Sequence, residues 1–189
     1  RRIKSLVFST DVAIIKNINA DAIIAVYPFT PQPAITQAII GVSEVPVFCG
    51  VGGGLTNGVR SASMAAYVEH QGAYGVVCNS KIGVETIHAI KDAVEIPVVY
   101  TVISENTDIQ PYLTAGVDII NVSGAARTPE IVGALRQRYP ELPIIATGGP
   151  TEESILATIR AGANAITYTP PSSASLFAKT MAGNRSELE

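Results

Sequence analysis

Few side chains of this chain are equipped for chemistry, and they gather at one kind of place, directly after a short apolar run. Asp11 follows the first run, in Ser9-Thr10-Asp11, and Glu105 follows the fifth, in Ser104-Glu105-Asn106. Either carboxylate can act as a general base once desolvated, and either can equally serve as a helix-cap acceptor. Lys81 stands just past the fourth run. An ammonium there can neutralise a phosphate or carboxylate, or form a Schiff base, and its place beyond the run favours the electrostatic role. Arg127 opens the stretch after the sixth run, where a guanidinium can fork onto an oxyanion or simply be solvated. Uncharged groups complete the set. Asn79, Thr101, Asn121, Ser123 and Thr147 fall at or near the ends of the fourth to seventh runs and are expected to line the site and orient a substrate.

Two glycine stretches occupy equivalent places. "GVGGG", with Gly52, Gly53 and Gly54, follows the third run. It can be a flexible lid, a place where backbone approaches a ligand, or an anion nest. Thr147-Gly148-Gly149 follows the seventh run, ahead of a helix start at Thr151-Glu152-Glu153. Backbone N–H groups and the helix dipole favour phosphate at such a point. Hydroxyls at Thr169, Ser172 and Ser173 follow the eighth run. These residues are the expected phosphate site, and the other reading of "TGG" is a plain strand-to-helix turn.

Several chemistries fit poorly. His70 and His88, the two histidines, both fall inside helical patterns, which disfavours a histidine base, a Ser-His-Asp triad and a histidine metal site. "NVSGA" is not a nucleophile elbow, although Ser123 keeps a hydrolase reading open. Asp11 and Glu105 alone are a thin ligand set for Mg²⁺, and no metal site is expected. The glycines after the third run miss the dinucleotide spacing at Leu55 and Asn57. Cys49 and Cys78 end adjacent strands, but inward-facing polar residues at a spacing of two put both thiols outward, as buried structural groups.

The elements that must position these residues repeat along the chain. Strands are expected over Leu6–Thr10, Ala22–Tyr27, Val45–Gly50, Tyr74–Asn79, Pro97–Ile103, Asp118–Ser123, Pro143–Thr147 and Ala165–Thr169. They are rich in Val and Ile without clean alternation, as parallel strands buried on both faces are. Amphipathic stretches such as "RSASMAAYVEHQG" and "TPEIVGALRQRYP" lie between them. Three strands are entered through "QGAYGV", "AGVDII" and "AGANAI", where glycine suits a helix C-terminal cap, and three through Pro46, Pro97 and Pro143. Asp21, Asp118 and Asn164 sit at this entry face and are read as structural. Eight such units predict an α/β fold, a compact parallel (β/α)8 TIM barrel, with an open doubly wound sheet as the rival.

At the last two units, "PIIATGG…ESILATIRAGANAI", the chain resembles the ribulose-phosphate-binding type of phosphate-binding TIM barrel, a superfamily of sugar-phosphate aldolases, epimerases and flavin-binding barrels. The resemblance is sharpest over residues 97–173 and names a superfamily, not an activity. It implies a phosphorylated substrate held by Gly148 and Gly149 and by the loop after the eighth strand. The chain departs from that pattern in Thr169-Pro170-Pro171, where two prolines remove N–H donors, and in the sixth strand, "DIINVS", which lacks a Schiff-base lysine.

A net charge of -3 disfavours nucleic acid, and no apolar run reaches membrane-spanning length. With no signal peptide and no disulfide framework, a cytoplasmic protein is expected. Residues 1–187 are read as one domain, with Leu188-Glu189 resembling a vector-encoded junction. The expected function is binding of a small phosphorylated metabolite, such as a sugar phosphate, with proton-transfer chemistry of an isomerase, epimerase or lyase. Open alternatives are an antiterminator-like sensing barrel, an FMN-binding barrel and a hydrolase. Apolar residues on barrel helices would favour a homo-oligomer. The role of "YPFTPQP", as lid or interface, stays open.

Overall fold

The computed structural model describes residues 2–186; Leu188-Glu189 lies outside the described residues. Eight parallel strands close into one barrel in sequence order. They are β1 (Ser5–Phe8), β2 (Ala22–Ala25), β3 (Val47–Gly52), β4 (Gly75–Cys78), β5 (Val98–Val102), β6 (Ile119–Val122), β7 (Ile144–Thr147) and β8 (Ala165–Tyr168). Each is followed by a helix: α1 (Val12–Lys16), α2 (Pro33–Val42), α3 (Val59–His70), α4 (Val84–Lys91), α5 (Gln110–Thr114), α6 (Thr128–Arg138), α7 (Glu152–Arg160) and α8 (Ser173–Ser186). The fold is a (β/α)8 TIM barrel. The open-sheet rival fails because β8 pairs with β1, Leu6 lying opposite Thr167.

Side-chain alternation divides the strands cleanly. Leu6, Ile24, Phe48, Val77, Val99 and Ile145 fill the lumen. Val7, Ile23, Cys49, Cys78, Tyr100 and Ile120 pack outward with the residues beneath the helices. Both cysteines are free and buried. Burial pushes each thiol up to about 12, because a thiolate there would lose its hydration.

The strands' entry ends are stapled. Gly72, Gly116 and Gly162 close α3, α5 and α7 with φ of 93°, 105° and 109°, a conformation that side chains resist. Asp118 Oδ2 accepts from Val98 N–H and Lys91 Nζ, each at 2.8 Å. Asn164 Oδ1 accepts from Ile144 N–H at 2.8 Å and Arg136 Nη2 at 2.7 Å. Asp21 Oδ2 accepts from the N–H groups of Lys4 and Ser5 at 2.8 and 3.0 Å. Each polar side chain thus ties the start of its own strand to that of the strand before, which leaves the opposite, exit ends free to carry a site. Leu156 and Ile159 on α7, with Leu176 and Phe177 on α8, are exposed.

Candidate functional site

The lumen's apolar filling stops below the exit ends of the strands, and a cavity of about 450 Å³ opens above it. Its floor is Phe8, Ile24 and Val77. One wall is polar and uncharged: Asn79 after β4, Thr101 on β5, Asn121 on β6 and Ser123 just past it. Thr101 and Asn121 are register partners, and Asn121 Nδ2 donates to Thr101 Oγ1 at 3.3 Å. Asn79 Oδ1 accepts from Ser80 Oγ at 3.1 Å, so its amide NH₂ remains as a donor toward the cavity wall. The other wall is apolar, formed by Val26, Pro28, Phe29 and Pro31 from the β2–α2 loop, Leu55 from the β3–α3 loop and Ile103 after β5. Phe29, Leu55 and Ile103 are exposed at the rim. Tyr27 also lines the cavity, and its hydroxyl accepts from Gln32 N–H at 2.8 Å, which closes that loop on itself. Tyr27, Pro28, Phe29 and Pro31 of "YPFTPQP" therefore form part of a cavity wall.

The charged candidates lie outside this lining. Asp11 is the N-cap of α1: Oδ1 accepts from Ala13 and Ile14 N–H, and Oδ2 accepts from Ser173 N–H at 2.8 Å. The Ser173 side chain and then its N–H hold the Asp11 carboxyl below the usual range. Both oxygens are thus engaged in joining α1 to α8. Glu105 keeps one oxygen on Arg127 Nη2, and the other is buried without a partner. Its own backbone N–H first, and then Arg127, lower its pKa. Arg127 is shared with Glu130, so its positive charge is already matched. Lys81 is exposed beyond β4, and its backbone N–H faces Asn79 Oδ1 at 3.4 Å.

The residues expected to hold phosphate form a separate group, away from the cavity lining. Gly148 N–H donates to Thr167 O at 3.1 Å, continuing the β7–β8 ladder, and a Cβ on Gly148 would lie 2.7 Å from Ile166 and 2.8 Å from Ile155. Gly149, with φ 83°, turns the chain toward α7. There Thr151 and Ser154 cap each other reciprocally, and Glu152 and Glu153 occupy the first turn. Carboxylates so placed already complement the helix dipole. Thr147 is half-buried and sits opposite Thr167, whose hydroxyl is buried and unpartnered. Thr169 and Ser172 are exposed; Ser172 Oγ accepts from Ser175 N–H at 3.2 Å at the start of α8.

Of the glycine loop, Gly52 and Gly54 line the cavity, while Gly53 turns away with φ 99° against the Asn79 backbone. Sequence reasoning missed Phe8, Val26, Leu55, Thr56 and Ile103. The signal for Phe8 and Ile103 was available, since each lies two residues beyond an inward residue of its strand. The loop residues carried none, because loop direction follows from packing rather than periodicity.

No family model and no curated protein matches the sequence. Solved structures match along nearly all of it. A protein assigned as a phosphonomutase from Burkholderia cenocepacia J2315 superposes with a TM-score of 0.73 at 18% identity, over 98% of this chain and 92% of that one. A 2,3-dimethylmalate lyase, described as a PEP mutase/isocitrate lyase superfamily member, gives 0.75 at 15% identity, over 98% and 82%. A phosphonopyruvate hydrolase solved with oxalate and Mg⁺⁺ gives 0.72 at 16% identity, over 97% and 80%. At such identities the likeness is one of fold. It places the chain among TIM barrels and does not single out the ribulose-phosphate-binding type. A magnesium ion does not fit the residues present: among the described residues no group of three or more His, Cys, Asp and Glu side chains could hold a metal. Asp11 is engaged as a cap and Glu105 with Arg127.

Proposed function

We propose that the chain is an enzyme that binds a small, oxygen-rich, phosphorylated or carboxylated metabolite in the cavity over β2–β6 and acts on it by proton transfer, as a lyase or isomerase. The observation that carries this reading is the polar wall. Three adjacent strands bring Asn79, Thr101, Asn121 and Ser123 to one side of a single apolar cavity. Such a wall offers an amide NH₂ donor, a free amide oxygen and two hydroxyls to a ligand's carbonyl and hydroxyl oxygens. The names of the barrels with the same fold, a phosphonomutase, a phosphonopyruvate hydrolase and a dimethylmalate lyase, support chemistry on small acids.

Of the two carboxylate candidates, Glu105, outside the lining and two residues past Ile103 of the rim, is the one assigned proton transfer. Asp11 has both oxygens committed to helix ends, whereas Glu105 keeps an unpartnered oxygen on the loop after β5. Its lowered pKa keeps it ionised while making it a weaker base. Lys81, next to the lining residue Ser80, supplies positive charge. A second reading, a barrel that binds without catalysis, draws support from the absence of any acidic or basic side chain in the cavity lining.

A thermal-shift screen of phosphorylated and carboxylated metabolites, with FMN and dephosphorylated partners as controls, tests binding, since a ligand at about 100 times its Kd stabilises the fold by about 2.7 kcal/mol. The hit is then incubated in deuterated water with wild type and Glu105→Gln. Exchange in wild type and its loss in the variant support catalysis. Binding without exchange supports the sensing reading, and unaltered exchange in Glu105→Gln removes Glu105 as the base.

A further inference from the structure

We infer that the ligand of this cavity carries an oxyanion and that the anion is held by the β3–α3 loop, residues 52–60, rather than by the loops after β7 and β8. The inference rests on the cavity reading above and adds which loop holds the ligand's anionic group, and with it the ligand's orientation. Gly52, Gly54, Leu55 and Thr56 form part of the cavity wall. Among the described residues, the N–H groups of Gly54, Leu55, Thr56 and Asn57 make no hydrogen bond within the protein, and Gly54, Leu55 and Asn57 are exposed, so these donors are open to a ligand. They lead into α3, a helix of 12 residues whose N-cap, Gly58, offers no capping side chain and whose first turn has no acidic residue. Arg60 stands in that first turn. The helix dipole there is uncompensated.

A second observation points the same way. Ser61, on the first turn of α3, is 0% exposed, and its hydroxyl has no partner. It packs against Gly52 at the end of β3, behind the lining: a Cβ on Gly52 would lie 2.0 Å from Ser61 Oγ. Thr56, 6% exposed, holds a second unpartnered hydroxyl in the same loop. Two buried hydroxyls left unpartnered beside free amides are costly unless a ligand or its water completes them. At the competing helix ends the protein supplies its own caps and charges, although the Thr167 and Ser173 hydroxyls are buried there without partners. Thr151 and Ser154 close α7 with Glu152 and Glu153 beside them, and the Asp11 carboxylate takes Ser173 N–H at the start of α8.

The test is a ¹⁵N–¹H correlation titration of the full chain at constant ionic strength, with inorganic phosphate, acetate and uncharged glycerol as separate probes. Saturable shifts of the Gly54–Arg60 amides with phosphate or acetate are expected, and whichever probe gives them identifies the anion's class. Gly54→Glu, where an added Cβ meets nothing within 4 Å, leaves the fold unchanged and should weaken the anion at least tenfold. Phosphate shifts confined to Gly149–Ser154 or to Ser172–Ser175, or unweakened binding in Gly54→Glu, overturn the inference. If glycerol moves Asn79, Thr101 and Asn121 while neither anion moves the loop, the cavity reading stands and the inference falls. If no probe moves any of these residues, both fall.

Discussion

Gly53 and Gly54 are neighbours in sequence with opposite demands, and exchanging each for alanine tests how the glycine loop is built. At Gly53 φ is 99°, and an added Cβ would lie 2.8 Å from Asn79 O and 2.9 Å from Asn79 N and Cβ. The obstacle is backbone, which cannot swing aside as a side-chain tip does. The positive φ costs about 1–2 kcal/mol for an L residue, and forcing an extra methyl group against fixed atoms costs about 1–3 kcal/mol. Together Gly53→Ala should lose roughly 2–5 kcal/mol, which at this chain length lowers Tm by roughly 4–20 °C. It should also push Asn79 away and weaken any ligand of the polar wall. At Gly54 an added Cβ meets nothing within 4 Å, so Gly54→Ala should stay within about 0.5 kcal/mol of wild type. Calorimetric melts of the three proteins side by side are the assay. Equal Tm values for the two variants would refute the close approach of the loop to Asn79.

Further outcomes follow from the same geometry. Thr167→Val removes a buried hydroxyl that has no partner and should raise stability by about 1 kcal/mol in the ligand-free protein; a lower Tm would mean the hydroxyl is satisfied. With pKa values of about 12, Cys49 and Cys78 hold a thiolate fraction of roughly 10⁻⁴ at pH 8, against ~0.2 for an ordinary thiol, so iodoacetamide should label the native chain on the order of a thousandfold slower than glutathione. Mass spectrometry checks the rate, and labelling as fast as glutathione would sink the buried placement. The unfolded chain releases these protons near pH 9 while the fold retains them, so stability should fall as pH rises from about 9 toward 12. The Asp11 carboxyl is shifted the other way, so its contribution is present above the ordinary carboxylate pKa and lost as pH falls through its lowered value. The Tm gap between wild type and Asp11→Asn should therefore be open at pH 7 and close in acid; a gap that persists at low pH would show that the capping charge is not its source.

The repeating unit was legible in the sequence because it is local physics. Val- and Ile-rich runs, the glycines at 72, 116 and 162 and the prolines at 46, 97 and 143 each specify a strand or its entry without reference to distant residues. The spacing of two at Asn121 and Ser123 was enough to set the inward face of β6, and the same alternation put Cys49 and Cys78 outward. Closure of eight parallel strands followed from the count. What the tertiary structure decided is the use of the charged groups and the place of the opening. Asp11 could be a base or a cap in one dimension, and only the approach of α8, 162 positions away, makes it a cap for two helices. Gly148 reads as a free amide until β8 arrives to take its N–H. The cavity leans toward β2–β6 because the Tyr27–Pro33 and Gly52–Thr56 loops rise beside one another there. Loop height and direction come from side chains packing between neighbouring units, and no local periodicity encodes them.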